Sequence, residues 1–198
     1  MITYRSPSQR PVSNSPVEVR WRDRSRASGA ARLLVRGGVL LAVQRWHGCR
    51  LPEAPAQVRW RVAGRTTEFG QKILVGLVAE DEGSGGRAGC GLGVLIDPET
   101  GRVDDVMGEG GVVGYVESAP QGVGSAVELE VEAWLYGRTL ISRLRVNGEA
   151  VALPAVLVRP GQGLMAVVGG EIGSGSLPVV EHSELVLRPL AGDRLAHG

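Results

Sequence analysis

Apolar residues recur along this chain in short bursts, each closed by glycine, proline or a polar cluster. The segments "VEVRW", "ARLLVRG", "VLLAVQRW", "VRWRVAG" and "KILVGLVAE" either alternate apolar with polar or run continuously apolar, and both patterns mark strands. Further bursts follow in "CGLGVLI", "GRVDDVM", "GVVGYVES", "PAVLV", "LMAVVGG" and "SELVLRPL". Helical periodicity is nowhere sustained over three turns. About eleven to thirteen short strands at hairpin spacing predict an all-β, two-sheet antiparallel β-sandwich.

Turn chemistry fixes part of the pairing. In "VELEVEAWLYGRTLISRLRVNGE" the Gly137-Arg138 pair suits a two-residue type II′ loop, which takes glycine first. Tyr136 then faces Thr139, and the two strands pair in step from there. One face carries Leu129, Val131, Ala133 and Leu135 against Val146, Leu144, Ser142 and Leu140, and is the predicted core face. The other carries Glu128, Glu130, Glu132, Trp134 and Tyr136 against Asn147, Arg145, Arg143, Ile141 and Thr139. Glu132 meets Arg143 and Glu130 meets Arg145 on this face. Asn147-Gly148 supplies a second tight turn, of type I′ by composition. In "DPETG", Pro98 suits the second position of a type I turn and Gly101 the left-handed position that closes a bulged hairpin.

Composition adds an arm and a charge split. Residues 1–16 hold prolines and serines without periodicity and predict a flexible basic N-terminal arm, with a single sandwich domain over 17–198. Residues 1–65 carry 13 arginines against Glu18, Asp23 and Glu53, whereas residues 66–198 carry 9 basic and 18 acidic side chains. Such a split has two readings: a contact with an acidic partner or a neighbouring copy, or neutralisation of one half by the other within the fold. The start is polar and lacks an apolar signal core, and no apolar run is long enough for a membrane helix, so the expected compartment is cytoplasmic. Cys49 and Cys90 have no metal spacing; a buried thiol is the simpler reading, and pairing stays open.

The strand, tight turn and strand into "RLRVNGE", with "GLMAVVGG" and "LPVVEHSELVLRPL" to close, resemble the concanavalin-like jelly roll, in particular its laminin-G-like and keto-disaccharide-hydrolase-type members. The resemblance covers roughly residues 57 to 190. It implies two curved antiparallel sheets, with a saccharide or protein ligand on the concave face or at a loop rim. Family 16-type glucanases of that superfamily carry Glu-x-Asp-x-Glu on a strand, the outer glutamates serving as nucleophile and acid/base. Glu128-Leu129-Glu130-Val131-Glu132 is similar in spacing, with Glu130 in place of the aspartate and no aromatic platform before it. A general acid needs a raised pKa, and a neighbouring arginine works in the opposite direction.

Three further chemistries can be weighed. Asp97, Glu99, Asp104 and Asp105 flank one hairpin and would be the oxygen donors of a Ca²⁺ site, although their spacing matches no EF-hand and no cofactor is required by the pattern. "GCGLG" lacks the following helix that a phosphate loop needs. Trp21, Trp46 and Trp60 sit among arginines, a combination that stacks on bases but equally describes strands with indole inward and arginine outward, so nucleic acid is not the expected partner. His182 reads as a strand residue rather than a base. The expected function is therefore a non-catalytic interaction or assembly subunit, prone to self-association, whose arm (Tyr4, Arg5, Arg10) docks on a protein partner or neighbouring copy. The alternative is a carbohydrate-binding module using Glu128, Glu130, Glu132, Trp134, Tyr136, Arg143 and Arg145, and a glycosidase ranks third.

Overall fold

The computed structural model describes residues 19–23, 29–34, 40–79, 91–108, 110–159, 161–171 and 177–190. Within them the chain forms thirteen strands: β1 (Val19–Asp23), β2 (Gly29–Leu34), β3 (Leu40–Arg50), β4 (Ala56–Arg65), β5 (Ile73–Ala79), β6 (Gly91–Ile96), β7 (Arg102–Asp105), β8 (Gly111–Tyr115), β9 (Ala126–Tyr136), β10 (Thr139–Val146), β11 (Glu149–Leu157), β12 (Gly163–Glu171) and β13 (Val179–Pro189). Every pairing is antiparallel. A six-stranded sheet runs β1-β13-β4-β9-β10-β11, and a seven-stranded sheet runs β2-β3-β12-β5-β6-β7-β8. The expected all-β, two-sheet sandwich is what the chain adopts. The N-terminal arm, with Tyr4, Arg5 and Arg10, lies outside the described residues, as does Cys90.

The core lies between the sheets and is built by period-two alternation. β4 buries Val58, Trp60 and Val62, and β9 buries Leu129, Val131, Ala133 and Leu135 against them. Trp60 has no exposed surface, and its indole N–H donates to Ser183 Oγ on β13 at 2.9 Å. A buried indole gains its packing energy fully when that polar tip finds a partner. Cys49 is also buried in this cluster.

The continuous apolar runs have a different cause from the alternating ones. β5 and β6 bury both of their faces. Ile73, Val75 and Leu77 enter the main core, whereas Leu74 and Val78 join Val43, Leu95, Met165 and Val167 in a second cluster. Val106 and Met107 pack against that cluster, and the Met107 side chain lies where a Cβ at Gly93 would stand. A strand covered on both faces has no polar face to alternate with.

The β9–β10 register is the one the turn chemistry predicts, from Tyr136 with Thr139 down to Leu129 with Val146. Gly137 has φ +60°, while Asn147 and Gly148 have φ +46° and +91°, as type II′ and type I′ loops respectively require. Gly101 takes φ +67° in the "DPETG" hairpin. One strand starts earlier than the pattern suggests. The apolar burst at Pro154 is the end of β11, which begins at Glu149 directly after the Asn147-Gly148 turn. Its outward residues Ala150 and Ala152 carry little strand propensity and hid the beginning.

Candidate functional site

The outward face of the six-stranded sheet collects the charges that the sequence singles out. β4 lies between β13 and β9, so Arg59 and Arg61 stand beside Glu132 and Glu130 of β9, which stand beside Arg143 and Arg145 of β10. Arg61 binds Glu130 through Nε, and Arg145 Nε lies 3.9 Å from the same carboxylate. Arg143 binds Glu132 and sets its guanidinium 5.2 Å from the Trp134 ring centroid. Arg65 binds Glu181 at 2.8 Å. Basic β4 is thus neutralised by acidic β9 and β13, so part of the charge split is spent inside the fold. A double-mutant cycle on Glu132 and Arg143, read by denaturant unfolding, should give a favourable coupling of about 0.2–1 kcal/mol, the range for partly exposed pairs. Absence of coupling would mean that the ladder is decorative.

Among the described side chains the lattice is interrupted at Ala63. Outward positions of β4 read Arg59, Arg61, Ala63, Arg65, and Ala63 lies in a row between His182 of β13 and Glu128 of β9. Those two side chains are two strand spacings apart, about 9.6 Å between backbones. A methyl group cannot fill that span. A hollow of about 400 Å³ results, lined by Arg61, Ala63, Glu128, Glu130, Arg145, Gly148 and His182 among others. The register irregularity between Val180 and His182 sets the row in which His182 meets Ala63.

Its rim is held by a node the sequence did not announce. The Asn147 side chain accepts the Glu128 N–H at 2.8 Å and donates to Ser118 O at 2.7 Å. Ser118 Oγ donates to Val146 O at 2.7 Å. The Glu149 carboxylate accepts the N–H groups of Glu117 at 2.7 Å and Ser118 at 3.1 Å, and the Ser118 hydroxyl at 3.1 Å. Hydrogen bonds from Ser118 first, and from Glu117 after, hold the Glu149 pKa below its ordinary value of 4.5. Stability from this contact is therefore present above pH about 4.5 and is lost as pH falls through the lower folded-state value. The difference in melting temperature between the parent and Glu149→Gln should shrink as pH drops from about 6 to about 3, and a constant difference would detach the contact from ionisation.

The sequence-derived residues thus separate. Glu128, Glu130 and Arg145 line the hollow. Glu132 is buried under Arg143, and Trp134 and Tyr136 lie farther along β9, Trp134 opposite Ile141 and Tyr136 exposed opposite Thr139. β9 pairs without interruption on both sides, so the outer glutamates of the Glu-x-Glu-x-Glu run flank a central carboxylate already bound by arginine. Ala63 and His182 entered the site through long-range pairing. The break in the arginine alternation of β4 was their one local signal.

The four hairpin acids do not converge. Asp97 accepts the Glu99 N–H at 3.0 Å, and Asp104 binds Arg102 at 2.8 Å. That bond is the first cause of the raised Arg102 pKa. Asp105 is buried and accepts the N–H groups of Met107 at 3.1 Å and Gly108 at 2.8 Å. Among the described residues no group of three or more His, Cys, Asp or Glu could hold a metal, and no helix is long and apolar enough to cross a membrane.

No protein-family model matches the chain, and no curated protein sequence is similar to it. Solved structures resemble it in shape. Peanut lectin in complex with a nonapeptide has 12% identity and a TM-score of 0.48, covering 86% of this chain and 97% of its own. The CBM2 module of the evolved Dit of Lactobacillus casei phage J-1 has 10% identity and a TM-score of 0.43, covering 83% of this chain and 81% of its own. A human SPRY domain has 17% identity and a TM-score of 0.41, covering 81% and 97%. These are likenesses of architecture and say nothing about a ligand. The fold is a two-sheet antiparallel β-sandwich.

Proposed function

We propose that this sandwich is a non-catalytic binding module that takes a saccharide in the hollow over Ala63. The observation that supports it is the hollow itself, which sets acceptor and donor groups around a small apolar floor. A sugar hydroxyl both donates and accepts. The Glu128 carboxylate suits its proton, and the guanidinium groups of Arg61 and Arg145 suit its oxygen. Hydrolysis is disfavoured because Glu130 and Glu132 are bound to arginine, which removes them from proton transfer. The test is a glycan array followed by calorimetry on the full chain. Bound saccharide should be recovered intact, and Glu128→Gln should weaken binding about tenfold, the loss of one charge-assisted hydrogen bond. Release of reducing ends would overturn the non-catalytic reading, and a blank array would overturn the saccharide.

A second reading, an assembly subunit, is favoured by a separate observation. Phe69, the one phenylalanine in the chain, is 73% exposed, Val123 on a neighbouring loop is 67% exposed, and Val179 at the start of β13 is 52% exposed. Apolar side chains grouped at one end of a module mark a contact surface. Deleting residues 1–16 should leave the melting temperature little changed but weaken self-association, as measured by native mass.

A further inference from the structure

We infer that the N-terminal arm of one copy docks on the loop rim of the next, joining chains head to tail. This rests on the assembly reading and names its two surfaces.

The rim stands at the end of the sandwich where β4 finishes and β9 and β13 begin. Its loops are tied to one another by the backbone. Thr66 N–H donates to Ser125 O at 3.1 Å, Gly124 N–H to Thr66 O at 2.9 Å, and Gly70 N–H to Gln121 O at 3.2 Å. Thr67 Oγ1 donates to Leu177 O at 3.3 Å, which brings in the segment before β13. Phe69, Val123 and Val179 therefore project from a preformed surface, which keeps the entropy cost of docking low. Two carboxylates stand close by: Glu68 adjoins Phe69 and the Glu99 carboxylate lies against Gly70, whereas Glu181 is already taken up by Arg65.

The arm has the complementary chemistry. Residues 1–17 contain Arg5 and Arg10 and no acid, with Ile2, Tyr4 and Val12 as apolar anchors. Its exit decides the geometry. β1 pairs Val19 with Leu187 and Asp23 with Ser183, so it runs toward the rim and starts at the opposite end, where Leu190 N–H binds Pro55 O. Eighteen extended residues span about 60 Å. A copy placed behind, with its rim toward the start of β1, therefore lies within reach of the arm. Such a contact joins two different surfaces, and it propagates as an open chain or closes into a ring.

Sedimentation velocity on full-length protein tests this with two variants, Arg5→Glu with Arg10→Glu in the arm, and Phe69→Asp in the rim. The parent should form species that grow with concentration and shrink as salt rises from about 50 to about 500 mM. Each variant alone should be monomeric, with its melting temperature close to the parent's. Mixed, they should give a dimer and nothing larger, because one supplies an intact arm and the other an intact rim. Val123→Asp should behave as Phe69→Asp does. A parent that stops at a dimer, with no complementation between variants, would replace this geometry with a two-fold one. Association that survives in both variants would overturn the arm-to-rim contact and leave the assembly reading standing. A parent monomeric at all concentrations would overturn both.

Discussion

Replacing Trp60 by alanine is expected to cost about 3–5 kcal/mol of stability, the range for removing a large buried aromatic. The side chain is wholly buried between the sheets, and β4, which carries it, is paired with β13 on one side and β9 on the other. Alanine leaves a cavity bounded by strands that cannot close it without losing their own pairing. It also strands Ser183 Oγ, which has no exposed surface to offer water in exchange. Trp60→Phe separates the two costs. It keeps most of the volume and loses the hydrogen bond, so about 1–3 kcal/mol should disappear. Denaturant midpoints measured at constant m-value would show both. An alanine variant within 1 kcal/mol of the parent (about a fivefold change in the folded ratio) would move Trp60 out of the core.

The largest expected effect on binding comes from the smallest side chain in the hollow. Ala63→Trp should fill the space between His182 and Glu128 and lower saccharide affinity by about a hundredfold or more, the size of an effect that excludes a ligand from its centre. Stability should change little, because Ala63 points outward and aromatic residues suit strands. Ala152→Trp is the matching control, since Ala152 is exposed on β11 beyond the hollow. Equal loss in both variants would mean the hollow is not where the ligand sits. Unchanged affinity in Ala63→Trp would carry the site elsewhere on the module.

The parts of the structure legible in sequence are those governed by neighbours along the chain. Gly137 and Asn147-Gly148 dictate loop types, and these fix which residues β10 meets on β9 and, next to the second turn, on β11. Alternation then tells core from surface. The hollow was not legible for the same reason in reverse, since residues 63, 128 and 182 become neighbours only when β4 is inserted between β13 and β9. No local turn encodes that order. Glu132 shows a second limit. Its place in the alternation is outward, yet Arg143 covers it, so a position on the wet side of a strand became a buried carboxylate. Trp134 fared similarly, because the guanidinium that neutralises Glu132 also sits over the indole.

The sheet order has a consequence for synthesis. β12 lies between β3 and β5, and β13 lies between β1 and β4, so each sheet is completed by one of the last two strands. While a ribosome is still making residues 163–189, neither sheet can close, and every strand that will flank β12 or β13 presents an unpaired edge. The sandwich cannot close until residue 189 has been made, so those edges stay open to pairing with other chains for as long as synthesis takes to reach it.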